Sequence, residues 1–228
     1  MRLIDMKNID TENHSRVVFI RVEPIDLQST LKNIIDMLFN LSWINQFDEE
    51  YVRDSFKERA VPTIMDITQK LKAASTEKIS SDAGEYVVSE VSRNAIVNQL
   101  KYLSIPLSEL YSKQVSGNPG FDFHTQNDCE ILIFGEAKYL CDRNAYGTGL
   151  KQVVNFIKDK KDIKDISDLR DFIKPAVLVK ATQGIKGFAV GFSAKEISSD
   201  QLIENIKRNQ EYKELLAYEE IVLVAVNI

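Results

Sequence analysis

Apolar residues along this chain recur at two spacings, and the switches between them mark out strands and helices. Residues 16–23, RVVFIRVE, concentrate Val, Ile and Phe and stop at Pro24, which predicts a short strand. Leu27, Leu31, Ile34, Ile35 and Leu38 then recur at intervals of three and four, forming one apolar helix face. Two more helices are expected over 48–59 and 63–74, parted by Pro62. The small, polar stretch AASTEKISSDAG at 73–84 reads as a boundary. It separates residues 1–80, a strand with a mostly helical extension, from residues 81–228.

Past the boundary the pattern changes. Glu85–Leu103 reads as a long helix with Val87, Val88, Val91, Ala95 and Leu100 near one side, ending before Pro106. Strands are expected near 110–115 and 120–124, joined by the turn-forming SGNPG at 116–120. The run from Glu130 to Glu136 is continuously apolar between its ends, the pattern of a strand buried on both faces. A helix over 143–158 follows, then a strand containing Val177, Leu178 and Val179 and another at 187–193. A helix over 199–216 and a last strand, EEIVLVAVN, complete the order. Strands and helices alternating in this way predict an α/β fold, a mixed sheet flanked by helices.

Composition narrows the function classes. The 228 residues carry 29 Lys and Arg against 34 Asp and Glu, a net charge of −5, with 44% hydrophobic residues and only 9 Gly and 5 Pro. Those proportions exclude fibrous and low-complexity chains. The pI near 5.3 argues against a surface that is basic throughout. Asp5, Asp10 and Glu12 interrupt the N-terminus where a signal peptide needs an apolar run, and no window resembles a membrane span. A soluble, cytoplasmic protein is expected. Two Cys and two His, with no CxxC pair, make a zinc cage a poor expectation.

One segment carries candidate chemistry: GFDFHTQNDCEILIFGEAKYL, residues 120–140. In an extended strand residues i and i+2 share a face, so Glu136 and Lys138 point the same way at the end of the buried strand. Asp122, on the neighbouring strand, can bring its carboxylate to the same place. Two carboxylates suffice to hold a hard cation such as Mg²⁺, which keeps most of its waters. A metal so held activates water against a phosphodiester, and a lysine beside it stabilises charge on the phosphate oxygens. A charged cluster on a solvated surface is the competing explanation of the same three residues.

With those residues in place, GFDF…EILIFGEAKYL, a helix before it and another after it, resembles the catalytic core of the PD-(D/E)xK nucleases, the restriction-endonuclease-like superfamily. The resemblance implies a Mg²⁺-dependent deoxyribonuclease, with Mn²⁺ able to substitute. It assigns Asp122, Glu136 and Lys138 to the three motif positions, although Phe121 stands where the family has Pro. It also implies a carboxylate from the preceding helix, Glu85 or alternatively Glu90, as a further metal ligand. Gln152, in the helix after the lysine, matches a family glutamine. The order GEYVVSE, LSELYSKQ, GFDFHT, IFGEAKYL is similar to the HamA-type nucleases of Hachiman anti-phage systems, which implies a helicase partner.

Other features carry less. GTGLK at 147–151 lacks the Walker A pattern and is expected to open the helix bearing Gln152. His124 is either a substrate contact or a hydrogen-bonded surface group, Lys113 either a phosphate contact or a solvated edge lysine. Cys141 has no histidine at a telling position, and Trp43 is expected to pack. Between Ala137 and Val190 there are 11 Lys and Arg against 6 Asp and Glu, so this region is +5 and the remainder −10. Nucleic-acid attraction would be local to the basic region, leaving the acidic part for a protein partner. A non-catalytic interaction module on the same fold and a stand-alone restriction or repair-type nuclease are the alternatives.

Overall fold

A computed structural model of the chain describes residues 1–12, 14–73, 80–112 and 120–228. Two strands, β1 (Arg2–Ile9) and β2 (Arg16–Glu23), open the chain. Helices α1 (Leu27–Phe39), α2 (Glu50–Ala73), α3 (Ser81–Leu100) and the single turn α4 (Ser108–Tyr111) follow. Next come β3 (Phe123–Gln126), β4 (Leu132–Lys138), α5 (Tyr146–Lys158), α6 (Lys161–Asp165) and α7 (Pro175–Thr182). The chain ends with β5 (Gly187–Ala194), α8 (Ser199–Arg208), α9 (Gln210–Leu215) and β6 (Glu220–Asn227).

The six strands form one mixed sheet in the order β1-β2-β6-β5-β4-β3. The central pairs β2/β6, β6/β5 and β5/β4 are parallel, and the outer pairs β1/β2 and β3/β4 are antiparallel. Every residue of β5 is buried, which is why its sequence is apolar on both alternations. Leu31, Ile34, Ile64, Ile67, Val87 and Val91 from α1, α2 and α3 cover one face of the sheet. Val153, Val177, Leu202, Ile206 and Leu215 from α5, α7, α8 and α9 cover the other. The result is an α/β fold with a six-stranded mixed sheet between two helical layers.

Several elements differ from expectation, each for a physical reason. The expected boundary near residue 80 does not divide the sheet, because β2 pairs with β6 from Arg16↔Glu220 to Val22↔Val226. The two helices expected around Pro62 are one helix, α2. Pro62 is exposed, while Phe56, Ala60, Ile64, Ile67 and Leu71 form a continuous buried stripe that holds the helix through it. The strand expected at Val177–Val179 is helix α7: Pro175 starts it, Val177 and Ala181 are buried one turn apart, and Val179 is exposed. The helix expected over 199–216 is broken at Asn209, which is extended and caps α9 by accepting from Tyr212 N–H. Of the strand expected at 110–115, residues 110 and 111 are helical; Lys113 and most of the 116–120 turn lie outside the described residues. The charges that break the alternation of β1 leave it without a strand pattern in the sequence. Among the described residues no helix is long and apolar enough to cross a membrane.

Candidate active site at the end of β4

The site begins with strand pairing. β3 and β4 run antiparallel with Phe123 opposite Gly135, and Asp122 lies in the bend immediately before β3 rather than within a strand. Three hydrogen bonds fix that bend. Phe121 N–H donates to Asp165 Oδ2 at 3.0 Å, Ser108 N–H to Asp122 O at 2.9 Å, and Ala137 N–H to Asp122 Oδ2 at 2.7 Å. The last bond reaches across to β4 and delivers the Asp122 carboxylate between Glu136 and Lys138.

Glu136 and Lys138 share a face of β4, as their spacing requires. Lys138 Nζ is 3.3 Å from Glu136 Oε1 and 3.1 Å from Glu85 Oε1. Glu85 therefore comes from α3 to the same ammonium, and close backbone approach makes this possible. A Cβ at Gly84 would lie 2.2 Å from the Tyr139 ring, so only glycine lets α3 rest on the chain just past Lys138. On the other side, a Cβ at Gly149 would sit 2.6 Å from Val190 Cγ1 and 3.7 Å from Lys138 Cγ, so α5 lies directly against the lysine stem. Gln152 is half-buried one turn further along α5.

Two carboxylates, Glu85 and Glu136, pair with one ammonium beside Asp122, and burial and charge set the proton affinities of Asp122, Glu136 and Lys138. Burial pushes Asp122 up to about 7, against the opposing pull of the Ala137 N–H and Lys138. Glu136 is raised well above the ordinary carboxylate range, first by burial and then by the neighbouring Asp122 charge. Burial lowers Lys138, yet the charges of Glu136, Glu85 and Asp122 outweigh it and leave the ammonium above its ordinary value. Glu136 Oε2 is buried with no hydrogen-bond partner among the described residues. An orphaned anionic oxygen of this kind is costly unless a cation or proton meets it.

Those donors fit a hard divalent cation in chemistry: carboxylate oxygens, an unpartnered buried one among them, and excess negative charge. They do not form a closed cage. Among the described residues no three His, Cys, Asp or Glu side chains are grouped to hold an ion. Glu85, expected as a metal ligand beside Asp122 and Glu136, accepts from Lys138 Nζ at 3.1 Å. An ion at this place would find Asp122 and Glu136, with Glu85 across Lys138, and keep most of its waters.

The structure separates Glu85 from Glu90. Glu90 is buried on Arg93, which donates through Nε at 2.9 Å and Nη2 at 2.5 Å, and Asn94 Nδ2 adds a bond at 3.1 Å. It is a structural ion pair, and Glu85 is the helix carboxylate at the site. His124 is not at the surface and does not reach the cleft. It is buried between Phe121 and Phe134, with Nδ1 2.7 Å from Tyr111 Oη and 3.1 Å from Ser108 Oγ, and Nε2 3.4 Å from Asp165 Oδ2. Cys141 is an exposed free thiol. Trp43 packs against Phe47, Phe56 and Phe172.

A cleft of about 130 Å³ opens onto Asp122 and Glu85 and is also lined by Asp82, Glu109, Lys70 and Ser89. Asp82 carried no signal in the sequence, and Glu109, though inside LSELYSKQ, was not marked as a site residue, since α3 and α4 bring them together at separations that follow no local period. Tyr86 Oη donates to Glu109 Oε2 at 2.9 Å and ties those two helices together at the cleft wall. Comparison of the chain with protein-family models, with curated proteins and with solved structures finds no match.

Proposed function

We propose that this chain is a metal-dependent nuclease of the PD-(D/E)xK, restriction-endonuclease-like kind, hydrolysing DNA phosphodiester bonds. One observation carries the reading: Glu136 and Glu85 pair with the Lys138 ammonium at the end of a buried strand, Asp122 is tied to the same strand through Ala137 N–H, and Glu136 Oε2 is left unpartnered. Mg²⁺, or Mn²⁺ in its place, would be held by Asp122 and Glu136 and would supply Lewis acidity toward a phosphoryl oxygen and a more acidic water.

The chain's own groups do the rest. Lys138 has three N–H donors; Glu85 and Glu136 engage it from two sides and aim the remaining donor at a phosphate oxygen, where charge builds in the transition state. Burial holds Asp122 at about 7, which suits a group that exchanges a proton near neutral pH, and Glu136 also binds its proton more tightly than an ordinary carboxylate. Ala137 N–H and the bonds to Phe121 and Asp122 backbone hold the first carboxylate in register with β4. Gln152 enters through its place in the helix that lies against the Lys138 stem.

The resemblance of GEYVVSE, LSELYSKQ, GFDFHT and IFGEAKYL supports a role as effector subunit of an anti-phage system, acting in the cytoplasm with a helicase partner. The test is cleavage of plasmid and linear DNA with Mg²⁺, Mn²⁺ or EDTA, with and without the helicase. Metal-dependent cleavage lost in Lys138→Ala is the expected result. Equal cleavage by wild type and Lys138→Ala, or cleavage undiminished in EDTA, would sink the assignment.

A further inference from the structure

The two edges of the sheet are finished differently. At the β3 edge, Leu103 N–H donates to Gln126 O at 2.9 Å and Thr125 Oγ1 to Leu103 O at 2.7 Å, so the segment after α3 covers it. Among the described residues nothing pairs with the outer side of β1. An open edge presents a row of unpaired N–H and C=O groups to any other strand, and proteins usually defend it with free charges, bulges or short length. β1 is eight residues long, and its bulge at Ile4 leaves Asp5–Ile9 regular. Its charges are occupied within the molecule: Arg2 pairs with Glu23, and Lys7 with Asp5 at 3.3 Å and Asp200 at 2.5 Å. Leu3, Ile4 and Met6 are exposed by 43%, 41% and 40%, beside the exposed Arg2 and Asn8.

We propose that β1 pairs antiparallel with β1 of a second copy of this chain, about a twofold axis at Met6, joining the two sheets edge to edge. Charge and alternation select that axis. In an antiparallel pair, opposed residues both turn their backbone groups toward the partner or both turn them away. A twofold axis must therefore pass through a residue in the regular stretch, not between two. An axis at Asp5 sets Asp5 against Asp5, and an axis at Lys7 sets Lys7 against Lys7, and like charges directly opposite are unfavourable; an axis at Asn8 or Ile9 leaves at most three residues of β1 paired. An axis at Met6 sets Asp5 against Lys7 of the second copy twice and Met6 against Met6, so no like charges are opposed and the apolar residues meet at the centre. Edge pairing also leaves both candidate active sites open. β4 lies four strands from β1, about 19 Å at ordinary strand spacing, so the inference stands or falls apart from the nuclease reading.

The experiment uses the full chain with Cys129 and Cys141, both exposed, replaced by Ser. Light scattering on eluting protein from low to high micromolar concentration should show a monomer–dimer equilibrium, and Met6→Lys should weaken it by about fivefold or more. Met6→Cys should form a disulfide-linked dimer under mild oxidation. Asn8→Cys should not, because Asn8 opposes Ile4 and the two Asn8 positions lie about 13 Å apart. Circular dichroism melts confirm that each exposed-position variant is folded. A wild type that stays monomeric overturns the proposal; so does a dimer that crosslinks through Asn8→Cys, through both variants equally, or through neither.

Discussion

Replacing Asp122 with Asn should stabilise the metal-free protein at neutral pH, and the gain should vanish in acid. The Asp122 carboxyl has an ordinary value of 3.8 and is pushed up to about 7, with burial the largest cause. The folded chain therefore holds this proton more tightly than the unfolded chain does. Its stability contribution is present below pH 4, is lost as pH rises toward 7, and is level above that. A difference of about 3 pH units corresponds to about 4 kcal/mol at about 1.4 kcal/mol per unit. The side chain is partly open to the cleft, so solvent screens some of this and about 2–3 kcal/mol is the expected gain at pH 8. Asn keeps an oxygen to accept the Ala137 N–H, so the substitution removes charge with little change in shape. Urea unfolding followed by circular dichroism in EDTA reads the difference, expected at about 2–3 kcal/mol at pH 8, about 1 kcal/mol at pH 5 and near zero below pH 4. A variant less stable than wild type at pH 8, or a gain that does not change with pH, would refute the electrostatic account of the site. Added Mg²⁺ should raise wild-type stability and leave Asp122→Asn nearly unchanged, since a ligand stabilises only the state that binds it.

Four further outcomes follow from the same geometry. Binding of Mg²⁺ to wild type at pH 6.5 should release protons, seen as a dependence of calorimetric heat on buffer ionisation enthalpy, because the cation displaces the proton that Asp122, held at about 7, still carries on much of the protein. Lys138→Ala should lower cleavage by about a hundredfold or more at saturating metal. Glu90→Ala should cost about 3–5 kcal/mol of stability by stranding the buried Arg93, without changing Mg²⁺ affinity of the folded fraction; Glu85→Ala should change stability by less than about 1 kcal/mol and reduce cleavage. Gly84→Ala should cost about 1–3 kcal/mol by driving a methyl group into the Tyr139 ring, measurable as a lowered urea midpoint.

Much of the fold is legible in linear pattern. The strands at 16–23, 187–194 and 220–227 and the helix face of Leu31, Ile34 and Leu38 follow directly from apolar period, because these segments bury what their sequence marks as apolar. Pattern failed where two structures could bury the same residues. Val177–Val179 is short enough to read as a strand, and Pro175 with one-turn packing of Val177 and Ala181 decides for helix. Pro62 stays inside α2 because the stripe beneath it supplies packing that outweighs the lost backbone bond. β1 escaped notice since an edge strand half-exposed to solvent carries charges where a central strand carries Val and Ile.

The candidate site divides along the same line. The sequence by itself determined that Glu136 and Lys138 share a face at the end of β4, since strand alternation is a local rule. It also put Asp122 next to the neighbouring strand, but the bend before β3 and the Ala137 N–H, not a strand position, bring its carboxylate to the site. Choosing Glu85 over Glu90, turning His124 into the core and adding Asp82 and Glu109 to the cleft wall were decisions of the tertiary structure. The physical reason is that these placements depend on how α3 and α4 seat against the sheet, on the Gly84–Tyr139 contact and on buried partners such as Arg93 and Asp165, which belong to no local period. The proton affinities of Asp122 and Glu136 belong to the tertiary structure for the same reason: burial and neighbouring charge, not residue type, set them.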